Sequence, residues 1–478
     1  GRHLPNGIKE EFTRDVAGRL IHQSIPVRGG RILERDYEYN IADEVVHIRE
    51  RLDASLTVVH DLTGRIREAR RPVGGTELFS YDATGNLKSR RNGAASKAFQ
   101  YAAGNRIADV VDELGRETRY LFDEDGNLVA KANGTPGHET VTKFVYDGKN
   151  QLTAVVDPQG KRVEFLYDPF GRRVAKETST RRTEFWWDGD ALLAEEQARP
   201  STVTDCRIEY VMDGQSFEPL CSFDAQQTFF YHNDHLGTPR ELTSGDGTVV
   251  WSASYDVFGV ARMGRAEDAS NPFRFRGQYF DEETGLHYNR YRYYDPELNR
   301  YLTQDPLGLI GGPNPYGYVN DPLTATDPLG LAGDDPLVDS LQQRTQDIRS
   351  GNPNLGPNDT VAAVHYDGPG GQAIQTQGVN GRHDTTVTPT HPGLQRTPTQ
   401  TGLGAVTPTH AEGRALTRLG NEMHARGQAG GSATMYVDRA PCPTYCRPQL
   451  QKVACRLGVT LRVVWPGGER TFHPGACD

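Results

Sequence analysis

The sequence predicts a mainly β chain with a small α/β domain at its C-terminal end. Three observations carry that expectation. An aromatic–Asp–turn–Gly unit recurs about every 20 residues through the front two thirds. Gly stands at 52 residues and Tyr at 21, which suits many turns and aromatic-rich strands. After Leu331 the composition changes, and the remaining pattern reads β-β-α-β-α-β-β. At 478 residues the chain exceeds one ordinary core, so at least two domains are expected.

The repeat is clearest at residues 81–87 (Tyr-Asp-Ala-Thr-Gly-Asn-Leu), 122–128 (Phe-Asp-Glu-Asp-Gly-Asn-Leu) and 167–174 (Tyr-Asp-Pro-Phe-Gly-Arg-Arg-Val). Degenerate copies start at Tyr101, Tyr146, Trp187 and Tyr255. The leading aromatics from Tyr81 to Trp187 are spaced by 20, 21, 24, 21 and 20 residues. A fixed period in this range predicts stacked repeats. Alternating stretches such as residues 161–167 (Lys-Arg-Val-Glu-Phe-Leu-Tyr) predict strands with one buried face. Each Asp-x-x-Gly closes a hairpin, because Gly supplies positive φ and Asp bonds the turn's backbone.

Longer motifs follow at residues 231–240 (Tyr-His-Asn-Asp-His-Leu-Gly-Thr-Pro-Arg), 285–296 (Gly-Leu-His-Tyr-Asn-Arg-Tyr-Arg-Tyr-Tyr-Asp-Pro) and 327–331 (Asp-Pro-Leu-Gly-Leu). With these motifs, roughly residues 40–331 resemble the Rhs/YD-repeat family. The resemblance implies a spiralling β-sheet that closes into a hollow shell around a variable C-terminal toxin. It assigns residues 1–331 to the shell. Six or seven repeats are few for full enclosure, so a missing N-terminal part of the shell is an expected partner. Gly1 in place of Met agrees with a fragment or a processed product. His232 and His235 read as packed imidazoles on a hairpin rim in preference to metal ligands.

Two pentads of the same sequence, Asp-Pro-Leu-Gly-Leu, occupy residues 305–309 and 327–331. Read as structure they are turns. Read as chemistry they are a carboxylate pair. Two aspartates brought close cannot both ionise easily, so one keeps a proton near neutral pH. One then activates water while the other protonates the leaving amide. The Rhs resemblance implies self-cleavage after the last Leu of the motif. The scissile bond is then Leu331–Ala332, with Asp305 and Asp327 as the pair and Arg300 as a candidate support.

Residues 332–359 read as a linker rich in Asp, Gln, Asn, Gly and Pro, and residues 360–478 as the α/β domain. Its first helix opens at His410-Ala411-Glu412 with Thr409 as cap. The second opens after Pro441-Cys442-Pro443-Thr444-Tyr445-Cys446. One histidine and two cysteines hold Zn²⁺ and leave a fourth position for water. A glutamate two residues after the histidine moves protons without being a ligand. This set resembles the zinc-dependent nucleobase deaminases, H-x-E followed by P-C-x-x-C. The element order is similar to the cytidine-deaminase fold. Three residues separate the cysteines here instead of two; a helix presents residues four apart on one face.

The resemblance implies His410, Cys442 and Cys446 as metal ligands, Glu412 as the catalytic proton carrier, and Thr409, Pro441 and Tyr445 as substrate contacts. It implies a secreted interbacterial toxin that deaminates cytosine in nucleic acid, DNA favoured, in the cytoplasm of a target cell. A cognate immunity protein and a component of a secretion apparatus are the expected partners. Two alternatives stay open: a deaminase of RNA or adenine, and a structural zinc site in an adhesion or scaffold protein.

Charge and cysteine usage agree with two halves. Residues 1–331 hold 40 Lys+Arg against 51 Asp+Glu, and residues 332–478 hold 13 against 12. From His410 onward the count is 9 against 5, a mild basic excess that suits nucleic acid. Cys442, Cys446, Cys455 and Cys477 crowd the tail, unlike a secreted disulfide scaffold. Cys455 and Cys477 read as core thiols or as a bridge. No apolar run approaches the roughly 20 residues needed to span a bilayer.

Overall fold

A computed structural model describes residues 1–331, apart from 17, 51–54, 136, 199–205, 214–216, 267–268 and 309–311. Beyond them it describes residues 344–345, 348, 360–367, 373–379, 411–426, 432–437, 450, 453–455, 457–465 and 468–472. The chain divides into two compact units, Gly1–Asp334 and Asp335–Asp478. Among the described residues no helix is long and apolar enough to cross a membrane.

The first unit is dominated by a 25-stranded sheet running from Arg2–His3 to Ala261–Ala266. Each strand pairs antiparallel with the next along the chain. The repeat explains the pairing. In the copy at Tyr81, Asp82 Oδ1 accepts the amides of Thr84 at 2.9 Å and Asn86 at 3.0 Å. Gly85, at φ +84°, donates to the Asp82 carbonyl. A bulge precedes the aromatic in successive copies, between Ser80 and Tyr81, Val145 and Tyr146, and Leu166 and Tyr167. Bulges re-aim a side chain. The hydroxyl of each re-aimed tyrosine donates to a carbonyl one repeat earlier. Tyr81 reaches Ile66 O at 2.8 Å, Tyr101 reaches Leu87 O at 2.9 Å, and Tyr146 reaches Leu128 O at 3.0 Å. Tyr167 reaches Leu152 O at 2.6 Å, and Trp187 Nε1 reaches Arg173 O at 2.7 Å.

The repeats begin earlier than the sequence reading placed them. Turns of the same kind sit at Asp15, Asn40 and Asp61. They escaped notice because Arg14 and His60 replace the leading aromatic at two of them, and Asn40 replaces Asp at the third.

The sheet returns on itself. Arg2 Nη2 donates to Tyr231 O at 2.8 Å, and Gln23 Nε2 to Asn233 O at 2.9 Å. Arg35 pairs with Glu241, and Arg240 with Glu50. His232, wholly buried, donates from Nδ1 to Glu10 and lies 2.9 Å from Thr243 Oγ1 through Nε2. His235 donates to Leu323 O at 2.7 Å and packs on Tyr37. Both imidazoles are therefore packing groups.

A four-stranded sheet of Gln278–Asp281, Leu286–Asn289, Arg292–Asp295 and Arg300–Tyr301 packs its rings into the apolar face of the large sheet. Phe165 meets Tyr293, and Phe185 meets Tyr279, with ring centroids 5.2 and 5.3 Å apart. Buried Arg173 fastens the two together. It pairs with Asp281 and lies against the rings of Tyr288 and Phe185 at 4.4 and 4.7 Å.

The second unit holds a five-stranded sheet ordered Ala373–Val379, Val361–Asp367, Ser432–Val437, Thr460–Trp465, Gly468–Phe472. Only the pairing of Ser432–Val437 with Thr460–Trp465 is parallel. A parallel pair needs a crossover. Residues 450, 453–455 and 457 within that crossover are helical. The helix Ala411–Ala425 buries Ala415, Leu416, Leu419 and Met423 in the same core as Val364, Met435 and Val463.

Candidate active site

The best-defined cluster of ionisable groups is built by the last strands of the first unit. Arg292 opens the strand Arg292–Asp295, whose neighbour Arg300–Tyr301 runs antiparallel to it. The Arg292 guanidinium is buried and lies 3.7 Å from the Tyr301 ring centroid. Its Nη2 stands 2.7 Å from Asp305 Oδ2 and 3.4 Å from Asp327 Oδ2. Its Nη1 donates to Pro315 O at 3.1 Å, and its Nε donates to Gly330 O. One side chain thus gathers both pentads.

Asp327 is the more heavily bonded carboxylate. Its Oδ1 accepts the amides of Gly330 at 2.8 Å and Leu331 at 3.0 Å. Its Oδ2 accepts the Tyr301 hydroxyl at 2.9 Å. Its own carbonyl accepts Asn289 Nδ2 at 2.6 Å, and Tyr291 N donates to Leu329 O. The turn is seated closely. A Cβ at Gly277 would come within 2.0 Å of the Pro328 carbonyl oxygen, and Gly330 sits at φ +75°. Asp305 is buried with fewer partners: Leu307 N donates to its Oδ1 at 2.8 Å, and Arg292 meets its Oδ2. Burial pushes the Asp305 carboxyl up to about 6, against the pull of Arg292 and the Leu307 amide and with a push from Asp327. A buried carboxyl with a pKa near neutrality beside a second carboxylate is an arrangement suited to proton transfer.

The structure brings Asp305 and Asp327 together and holds Leu331 by its amide; Ala332 lies outside the described residues. Arg300 does not support the pair. It donates to Asn105 O, and its guanidinium lies over Tyr101 and Tyr316 at 5.2 and 4.7 Å. Its place five residues before Asp305 suggested otherwise, but strand alternation turns it away from Arg292. Arg292 and Tyr301 were missed. Arg290, Arg292 and Arg300 look alike in a stretch crowded with Arg and Tyr, and only the strand pairing distinguishes them.

Of the tail residues, Thr409, His410, Pro441, Cys442, Tyr445 and Cys446 lie outside the described residues. The backbone of Glu412 falls in the first turn of the helix Ala411–Ala425. Cys455 is disulfide-bonded. Among the described residues no group of three or more His, Cys, Asp or Glu is placed to hold a metal.

Residues 6–309 match the Teneurin YD-shell family model. The Toxin protein Tse5 of Pseudomonas aeruginosa is 32% identical over 66% of this chain and 28% of its own length. The Double-stranded DNA deaminase toxin A of Burkholderia cenocepacia is 32% identical over 67% of this chain and 24% of its own. The Probable deoxyribonuclease RhsB of Dickeya dadantii is 33% identical over 69% and 23%. The chain spans about a quarter of the length of these curated relatives. The crystal structure of TcdB2-TccC3 aligns at a TM-score of 0.40 and 17% identity, covering 68% of this chain and 21% of that one. By the match over well more than half its length, the chain belongs to the YD-shell family of Rhs-type polymorphic toxins.

Proposed function

We propose that residues 332–478 are a zinc-dependent deaminase of cytosine in nucleic acid, DNA favoured, and that the shell frees them by cutting itself after Leu331. The toxin acts in the cytoplasm of a rival cell, and an immunity protein protects the producer. The relatives named a deaminase toxin and a deoxyribonuclease match at nearly equal identity, so their names do not decide the chemistry. The residue set favours the deaminase. In sequence, His410 directly precedes the helix Ala411–Ala425, and residues 441–446 stand between the parallel strands Ser432–Val437 and Thr460–Trp465. That placement is the single observation carrying the reading. It is supported by the sheet order, in which that crossover joins the middle strand Ser432–Val437 to its neighbour Thr460–Trp465.

The donor set of one imidazole and two thiolates suits Zn²⁺. His410, Cys442 and Cys446 would hold the ion, which when bound supplies an acidified water. Glu412 would carry a first proton from that water to the base's ring nitrogen and a second, from the hydroxyl added to the ring carbon, to the departing amine. The purified full chain should carry one zinc and convert cytosine to uracil in single- or double-stranded oligonucleotides. Glu412→Ala should lose the conversion and keep the zinc. A wild-type chain that carries zinc and converts no cytosine would favour a structural zinc site, which has no use for that carboxylate.

For the junction, Asp305 and Asp327 would supply the carboxylates. Asp327→Asn should leave one full-length band on a denaturing gel; two bands would remove the pair from the reaction.

A further inference from the structure

We infer that the two junction aspartates divide the work, Asp327 holding the chain and Asp305 moving the proton, with Tyr301 as the positioning residue that enforces the division. This rests on the self-cleavage reading above and deepens it.

The asymmetry lies in the donors. A carboxylate offers about four acceptor positions. Around Asp327 they are met by the amides of Gly330 and Leu331, the Tyr301 hydroxyl and, at 3.4 Å, the Arg292 guanidinium. Asp327 thus has no acceptor position left for a water's proton. Asp305 meets only the Leu307 amide and Arg292 in the contacts described, and keeps open positions. The charged and titratable groups around it are Arg292 on one strand, Tyr301 on the next, and Asp327 in the facing turn. Tyr318 stands behind Tyr301, with its hydroxyl 3.4 Å from the Asp327 amide. Burial leaves Asp305 titrating at about 6.

The step balances with one water and no other reagent. Asp305 takes a proton from water as the water oxygen bonds to the Leu331 carbonyl carbon. Asp305 then returns that proton to the Ala332 nitrogen as the C–N bond breaks. The products are a Leu331 carboxyl and an Ala332 amine. Asp327 fixes the attacked residue through its amide. Tyr301 occupies Asp327 Oδ2, so that Asp327 does not compete for the proton.

The test uses the full chain, recovered unfolded and refolded by dilution into buffers from acid to mildly alkaline, with cleavage timed on denaturing gels. The wild-type rate should rise with pH through one ionisation and then level. Tyr301→Phe should lower the plateau by about 10- to 100-fold, the scale of a slight misplacement, and bring in a second ionisation. A merely structural tyrosine would not add an ionisation. A wild-type rate that falls with pH, or is bell-shaped, overturns the division of labour. So does a Tyr301→Phe chain with the wild-type rate and profile. If that variant does not refold, the wild-type profile decides alone. Asp305→Asn cut at the wild-type rate would instead sink the self-cleavage reading itself.

Discussion

Arg173 shows what a single side chain does in this wall. It is a charge buried among rings, and it is tolerable only because Asp281 faces it and Lys176 and Glu283 complete the network. Removing one partner of a buried pair costs about 3–5 kcal/mol, most of it the penalty of stranding the other. Arg173→Met should lower the urea midpoint of the first unit accordingly, followed through the fluorescence of Trp187, whose ring lies 6.1 Å from Tyr288. An unchanged midpoint would mean that Lys176 alone satisfies Asp281. The same arithmetic explains why Arg292 could not be recognised from its neighbours in sequence. Its role is defined by Asp305 and Asp327, and neither lies within its own strand.

Among the elements, the hairpin repeat was the most legible. Its period, its Asp-x-x-Gly turn and its alternation are all local, so residues 81–174 announced their strands. The tail's strands and the start of its helix were readable for the same reason. What stayed hidden was non-local. The tyrosine hydroxyls bond carbonyls about 15 residues earlier, as Tyr81 does at Ile66. The bulges that aim them leave no mark in composition. Copies with a replaced aromatic, at Asp15 and Asp61, fell below notice although their turns keep the same bonds. Tyr146→Phe isolates the hidden part. It should cost about 1 kcal/mol, the net worth of one hydrogen bond, and raise amide exchange locally at the hairpin of residues 122–128. Exchange raised evenly over the first unit would show that the bond serves the whole wall and not one hairpin.

For the first unit as a whole, the place where the sheet meets itself is polar. Glu10 and His232 are both fully buried there, with Arg2 beside Glu10. Burial alone would raise the Glu10 carboxyl; the His232 hydrogen bond and the Arg2 and His232 charges outweigh it and hold it below the ordinary value. A depressed carboxyl contributes stability above its unfolded value and loses it as pH falls through the folded one. Acid should therefore loosen Lys9–Arg14 from Thr228–Asn233 before the rest of the sheet. Hydrogen-exchange protection compared between neutral and acid pH would read this. Equal loss in all strands would deny the seam any special role.

The anchoring of each ring to the carbonyl behind it has a last consequence. Half a copy inserted or deleted would leave a phenol aimed at nothing and reverse the direction of every strand beyond it. Such a wall grows or shrinks only in whole paired steps, so the room it can enclose is counted, not graded.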